Sequence, residues 1–257
     1  MNISNFLFIF LICFFKMTDA LSPVRIDYFV IFNVGQGLWT SHVTNDYCDH
    51  YDFGGELYNS KKLKSLFFKL CASKKNRLNL SHADVDHYSF INLIIQNSKS
   101  VCWQTQAIDQ LTSKLITKPT DKSRRNTYSE IPTCKNNVLN TKIMFYSSEG
   151  PRKNDRSIVQ IVDDILIPGD STQKMERIWS PQNKENLYPV RILMLGHHGS
   201  HTSTGVELLN QLTNLKMAVA SARYERYKHP SQETIARLKK YKVPLVRTED
   251  WGNIATF

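Results

Sequence analysis

The sequence holds no CxxC pair, no GxSxG elbow, no P-loop and no dinucleotide-binding glycine fingerprint. Those absences argue against a cysteine zinc knuckle, a thioredoxin-type centre, a nucleophile-elbow hydrolase and the common nucleotide-binding modes. Ser200 stands beside His198 and His201, but nothing marks an acid partner for a serine triad. No apolar run is long: the longest, Phe6–Phe15, has ten residues, against the roughly 20 a bilayer-spanning helix needs. The expectation is a chain with no membrane channel of its own. Neither an internal repeat nor a low-complexity tract is visible, and 10 glycines and 9 prolines in 257 residues exclude a collagen-like chain. Acidic residues are outnumbered, 23 Asp and Glu against 33 Lys and Arg, for a net charge of +10. That surplus favours polyanionic partners such as nucleic acid, anionic lipid or wall polymer, and also fits a merely soluble basic protein. With 41% hydrophobic and 22% charged residues, the chain can bury a core in one domain, or at most two.

The run FLFIFLICFF suits the apolar region of a secretory signal, with Ala20 at a plausible cleavage position, although the segment before it has no Lys or Arg. The expectation is export to a secreted or periplasmic location after loss of residues 1–20. The alternatives are an uncleaved anchor, or translation from Met17 and a cytoplasmic protein. Of five cysteines, Cys13 lies in this leader. Cys48, Cys71, Cys102 and Cys134 then allow two disulfides in one of three connectivities, or remain as half-buried thiols.

Short β-branched and aromatic runs separated by glycine turns predict strands at Ile26–Phe32, Leu38–Val43 and up to Phe53. Leu63, Leu66, Phe67 and Leu70 predict one amphipathic helix over about 60–73, and a second is expected at about 89–96. Strands are expected again at Lys142–Tyr146, Ser157–Val162, Ile165–Ile167, Val190–Leu195, Met217–Ala220, Val243–Val246 and Asn253–Phe257. Helices are expected at about 205–212 and 231–240. Clustered strands with interspersed helices predict a layered α/β sandwich. The polar stretch at about 104–138, with Lys118, Lys122, Arg124 and Arg125, reads as an insertion or lid and as a candidate contact for a polyanion.

Chemistry concentrates at strand ends. Ser81-His82-Ala83-Asp84-Val85-Asp86-His87 packs four potential ligands into six residues just beyond a predicted strand. Imidazole nitrogens and carboxylate oxygens together suit a divalent cation; the bland alternative is a solvated loop in which Asp86 caps the next helix. Gly196-His197-His198-Gly199-Ser200-His201 follows a second strand, and Asp170 ends a third, where its two oxygens could bridge two cations. His201 reads as an exposed loop residue. His229, before Pro230, reads as a helix-entry residue or a proton-transfer candidate. Asp52, before Gly54 and Gly55, reads as a turn residue or as an acceptor that orients a ligand.

In order, Asn33-Val34-Gly35-Gln36-Gly37, Asp52-Phe53-Gly54-Gly55, His82 to His87, Gly169-Asp170 and His197-His198-Gly199-Ser200 resemble the motifs of metallo-β-lactamase-fold hydrolases. The resemblance is closest to the carboxy-terminal hydrolase domain of ComEC-type competence proteins, which are DNA-uptake channel proteins. Arg226-Tyr227-Lys228-His229-Pro230 and Arg247-Thr248-Glu249 look like that group too, and the likeness spans residues 26–257. It implies an αββα, four-layer sandwich of two mixed sheets flanked by helices, with the metal site at one edge. It implies His82 and Asp84 on one ion, Asp86 and His87 on the other, Asp170 bridging, and His198 or His197 completing the shell, with His198 preferred. Asn154 to Ser157 stands where a further ligand or substrate contact is expected, and Ser200 joins that group. Asp84 replaces the imidazole usual at the second position, and Asn33 and Leu38 replace acidic residues usual in the first glycine motif. A harder, more anionic site shifts preference from Zn2+ towards Mn2+ or Mg2+. The implied activity is phosphodiester hydrolysis by two divalent ions with DNA as substrate, and Asp86 or His229 as candidate catalytic proton carriers. The alternatives are hydrolysis of another phosphodiester or ester, such as an envelope polymer, and a non-catalytic nucleic-acid-binding module.

Overall fold

The computed structural model describes residues 27–56, 60–104, 131–135, 141–145 (backbone only) and 152–256. The leader, Cys13 and most of the polar stretch at 104–138, with its four named cations, lie outside the described residues. Two six-stranded sheets carry the fold. The first has the order β12-β1-β2-β3-β4-β5, from β1 (Asp27–Ile31), β2 (Trp39–Thr44), β3 (Tyr47–Phe53), β4 (Lys75–Asn79), β5 (Ser100–Trp103) and β12 (Ile254–Thr256). The second has the order β11-β10-β9-β8-β7-β6, from β6 (Thr141–Phe145), β7 (Val159–Val162), β8 (Ile165–Ile167), β9 (Ile192–Met194), β10 (Met217–Ala220) and β11 (Leu245–Arg247). Both are mixed: β3, β4 and β5 run parallel, as do β8 to β11, and the remaining pairs are antiparallel.

Period-two alternation explains the layering. Phe29, Ile31, Tyr51, Val162, Ile165, Ile167, Met194 and Val219 meet between the sheets. Their strand neighbours Val30, Val43, Cys48 and Leu78 face outward onto Leu63 and Phe67 of α1 (Ser60–Leu70) and Ile91 and Ile94 of α3 (Ile91–Asn97). On the far side Val159, Ile161, Leu166, Leu193, Ala218 and Ala220 face Met175 and Trp179 of α4 (Gln173–Gln182), and Leu208, Leu209 and Leu238. Each strand is apolar on both faces because each sheet is covered on both sides. The result is the αββα sandwich. Disulfides Cys48–Cys71 and Cys102–Cys134 tie the end of α1 to β3 and residue 134 to β5. Ile131–Lys135, the described end of the polar stretch, runs along β5 through the amide bonds Trp103 N to Pro132 O and Cys134 N to Trp103 O, 2.8 Å each.

The helix expected at about 89–96 is present as α3, preceded by a four-residue turn, α2 (Val85–Tyr88), that the sequence did not predict; Asp84 rather than Asp86 stands at the N-cap of α2, without a capping side-chain bond. Helix α4 was not expected. Glu176 on its inward face and Pro181 near its end blur the apolar period that signals a helix.

Candidate metal centre

The ends of β3, β4, β8, β9 and β10 open at one edge of the sandwich, the position where open α/β sheets place ligands. The loop after β4 carries His82, Asp84, Asp86 and His87, the turn after β8 carries Asp170, and the turn after β9 carries His197 and His198. Local backbone makes the convergence possible. A Cβ on Gly54 would lie 2.4 Å from the Asp86 backbone, and one on Gly37, at φ +142°, 2.6 Å from the Asp86 carbonyl. Only glycine lets these two turns back the loop so closely, and Leu38 N donates to the same Asp86 carbonyl at 3.1 Å. The two glycine motifs thus shape the ligand loop from behind. Asp52, His197 and His198 all sit at positive φ (50°, 48° and 57°), a conformation that costs non-glycine residues on the order of 1 kcal/mol and clusters at functional sites.

The side chains meet in two overlapping groups. Ligand atoms of His82, His87 and Asp170 lie within 4.8 Å of one another, as do those of Asp86, His87 and His198. His87 Nε2 is 3.1 Å from Asp170 Oδ1, His82 Nε2 is 3.6 Å from Asp170 Oδ2 and from Asp84 Oδ2, and His198 Nε2 is 3.2 Å from Asp86 Oδ2. His82, His87, Asp170 and His198 are buried, yet His82 Nε2, His87 Nε2, His198 Nε2 and Asp170 Oδ1 make no aligned hydrogen bond. Four buried polar atoms that lack an aligned hydrogen bond and face one volume fit a divalent ion, which would satisfy them together. His197 stands farther out, 30% exposed, its Nε2 3.6 Å from Asp170 Oδ2 and its Nδ1 3.1 Å from Thr202 Oγ1.

A ring of partners fixes these groups. His87 Nδ1 bonds Asp52 Oδ2 at 2.7 Å, and Asp52 also accepts from Ser81 N and Ser81 Oγ, both at 2.7 Å. Ser157 Oγ accepts from Asp170 N at 3.1 Å. Asn154 Nδ2 lies 3.4 Å from His197 Nδ1, and Ser200 Oγ meets Thr202 Oγ1 at 2.9 Å, holding the histidine turn. His229 Nδ1 is 3.2 Å from Gln36 Nε2, and its ring centroid is 6.0 Å from that of His197. His201 is exposed.

Charge couples the centre. Burial by itself would raise Asp170 and Asp86, but the imidazoles outweigh it: His87 and His198 hold both carboxyls well below the usual range. Burial would lower His87, but Asp170 and Asp52 outweigh it and raise the imidazole well above its ordinary value. Burial lowers His197, and burial with the neighbouring His198 and His197 lowers His229 to about 4. Lys153 Nζ lies 3.2 Å from Asp84 Oδ1. Neither Ser81, Lys153 nor Gln36 has a role readable from the sequence: Ser81 adjoins a ligand, but lysine and glutamine in a loop carry no signal. A separate group, Asp27, His42 and Asp163, lies at the opposite end of the strands, where His42 Nε2 is already paired with Asp27.

No protein-family model matches the chain. It is 29% identical over 234 residues to recombination protein 2 of Haemophilus influenzae, covering 86% of this chain and 28% of that protein. It is 26% identical over 195 residues to ComE operon protein 3 of Bacillus subtilis, covering 68% of this chain and 24% of that protein. Over 86 residues it is 37% identical to competence protein ComA of Neisseria gonorrhoeae. The chain thus spans about a quarter of the length of the first two curated relatives. Among solved structures, the metallo-beta-lactamase fold protein YhfI from Bacillus subtilis superposes with TM-score 0.54 at 13% identity, over 90% of this chain and 99% of that one. A diphosphatase from the PhnP family also superposes with TM-score 0.54, at 9% identity, over 90% and 98%. With two mixed sheets between helix layers, this chain is a metallo-β-lactamase-fold protein whose sequence is similar to the ComEC-type competence proteins.

Proposed function

We propose that this chain is a metal-dependent phosphodiesterase acting on DNA. The observation that carries the reading is the convergence of His82, Asp84, Asp86, His87, Asp170 and His198 at one sheet edge, with four of their polar atoms buried and unsatisfied. Three carboxylates among these six groups favour Mn2+ or Mg2+ beside Zn2+. Divalent ions bound there supply Lewis acidity and lower the pKa of water towards about 7. The chain's own residues do the rest. Asp52 and Ser157 hold His87 and Asp170 in place. Asp86, with its side chain 38% exposed at the mouth and held well below the usual carboxylate range by His198 and His87, stays ionised there. His229, lowered to about 4, is neutral at pH 7, so one ring nitrogen accepts while the other carries an N–H. The +10 net charge supports a polyanionic substrate held by counterion release, and the similarity to competence and recombination proteins supports DNA. Two disulfides support an oxidising compartment. Among the described residues no helix is long and apolar enough to cross a membrane.

The test is cleavage of single- and double-stranded DNA with Mn2+ by wild type, Asp84→Ala and Asp170→Ala. Metal-dependent cleavage by wild type, reduced at least about a hundredfold by Asp170→Ala and less by Asp84→Ala, is expected, because Asp170 faces both histidine groups. Equal rates in all three proteins would refute the reading. DNA binding without turnover would replace it with a non-catalytic module.

A further inference from the structure

At the entrance to the metal pocket stands a cation that none of the motifs includes. Lys153 precedes a short 3-10 turn, Asn154–Arg156, and its Nζ lies 3.2 Å from Asp84 Oδ1. The lysine side chain is 57% exposed, that of Asp84 27%. The other oxygen of the same carboxylate, Oδ2, faces His82 Nε2 at 3.6 Å, so Asp84 stands between the pocket and the lysine. The turn is anchored by the site itself. Asp155 is buried and accepts from Thr172 Oγ1 at 2.6 Å, Asn154 Nδ2 approaches His197, and Ser157 Oγ holds the amide of Asp170. Lys153 is thereby kept at the mouth on a fixed backbone, with Arg152 and Arg156 beside it in sequence.

A lysine ammonium cannot ligate a metal ion; next to a metal ligand it competes with the ion for the same carboxylate. Its compact charge on a flexible stem suits a phosphate oxygen. We propose that Lys153 is a substrate-binding residue held in reserve by Asp84: it neutralises that carboxylate in the ion-free protein and, once Asp84 turns to a divalent ion, grips a non-bridging oxygen of the phosphodiester. This rests on the phosphodiesterase reading and adds to it the group that recognises the phosphate. The exchange makes the metal and the anion respond to Lys153 in opposite directions. Without the lysine, the metal loses a competitor and the phosphate loses a partner.

The experiment uses Lys153→Gln and Lys153→Arg beside wild type, with thermal melts to establish that all three are folded. Mn2+ affinity is titrated at low salt in the absence of any substrate, and inorganic phosphate and a short oligothymidylate are then titrated against the Mn2+-loaded proteins. Lys153→Gln is expected to bind Mn2+ about two- to fivefold more tightly, the scale of an exposed ion pair. It is expected to bind phosphate and oligothymidylate about tenfold more weakly, the scale of a charge-assisted hydrogen bond. Lys153→Arg should stay within about twofold of wild type on both counts, because it keeps the charge. Unchanged phosphate affinity in Lys153→Gln overturns the proposal, whatever happens to Mn2+. So does unchanged or weaker Mn2+ binding, because the reserve contact would then be absent. Failure of the nuclease reading shows separately, as wild-type protein that binds phosphate through Lys153 and cleaves no DNA.

Discussion

Asp52 decides the chemistry of His87. By accepting the Nδ1–H hydrogen bond at 2.7 Å it orients Nε2 to face Asp170 and the pocket, the arrangement in which an imidazole can ligate an ion. Asp52→Asn keeps the shape and removes the charge, and it presents an amide N–H to atoms that now receive a carboxylate. Mn2+ affinity should fall about ten- to a hundredfold, the usual effect of losing such an orienting partner, with the far-ultraviolet spectrum unchanged. An unaltered affinity by calorimetry would show that Asp52 serves only the turn. At this scale the sequence was informative where residue type is itself the signal. Histidines and aspartates at strand ends point to a cation, and those positions do meet in space. Which of two adjacent histidines faces inward depends on backbone torsion. Both His197 and His198 have positive φ, yet His198 is buried between Asp86 and Asp170 while His197 reaches the rim.

Among the elements, α4 does the least visible work. Glu176, fully buried on its inner face, accepts the amides of Thr204 and Gly205 at 2.7 and 2.6 Å. Arg237, from the helix Gln232–Lys240, donates to the carbonyls of Ser203 and Thr204. The segment that follows the histidine turn is thus held between two helices. Burial pushes Glu176 up to about 7 against its two amide donors and Arg237. Because the folded value is raised, the native state binds the proton more strongly than the unfolded chain. The stability it contributes is full below about pH 4.5 and is lost as pH rises through about 7. Glu176→Gln cannot ionise, so the stability of wild type relative to this variant should decline between pH 5 and pH 8, by on the order of 3 kcal/mol. Denaturant titrations that give the same difference at both pH values would sink the argument. The same residue explains why the helix was not legible: a charged side chain inside an apolar stripe reads as a break in the pattern. By contrast the helix over Ser60–Leu70 was legible, with Leu63 and Phe67 inward and its lysines outward.

For the molecule as a whole, stability is divided between three apolar layers and two covalent ties. Cys48–Cys71 closes a sequence separation of 23 residues and Cys102–Cys134 one of 32. Chain-entropy arguments assign each about 3–4 kcal/mol through the unfolded state. Reduction should lower the unfolding midpoint markedly, and Cys48→Ala/Cys71→Ala should reproduce roughly half of that loss; a melt insensitive to reductant would contradict it. The spacing of the four cysteines could only restrict their pairing to three possibilities, because connectivity is a matter of which strands and helices become neighbours. The same division runs through the protein. Local sequence was enough for most strand positions, glycine turns, a layered α/β sandwich and the ligand-type residues at strand ends, since period, turn chemistry and side-chain identity act over a few residues; the αββα arrangement came from the resemblance to metallo-β-lactamase-fold hydrolases. Only the tertiary structure brought together groups far apart in the chain, such as His87, Asp170 and His198. It also decided that Lys153 faces Asp84, that Gly37 and Gly54 back the ligand loop, and that a buried glutamate secures the segment beyond the histidine turn. Those contacts arise from how two sheets stack and where their strand ends coincide, a long-range condition that no local pattern encodes.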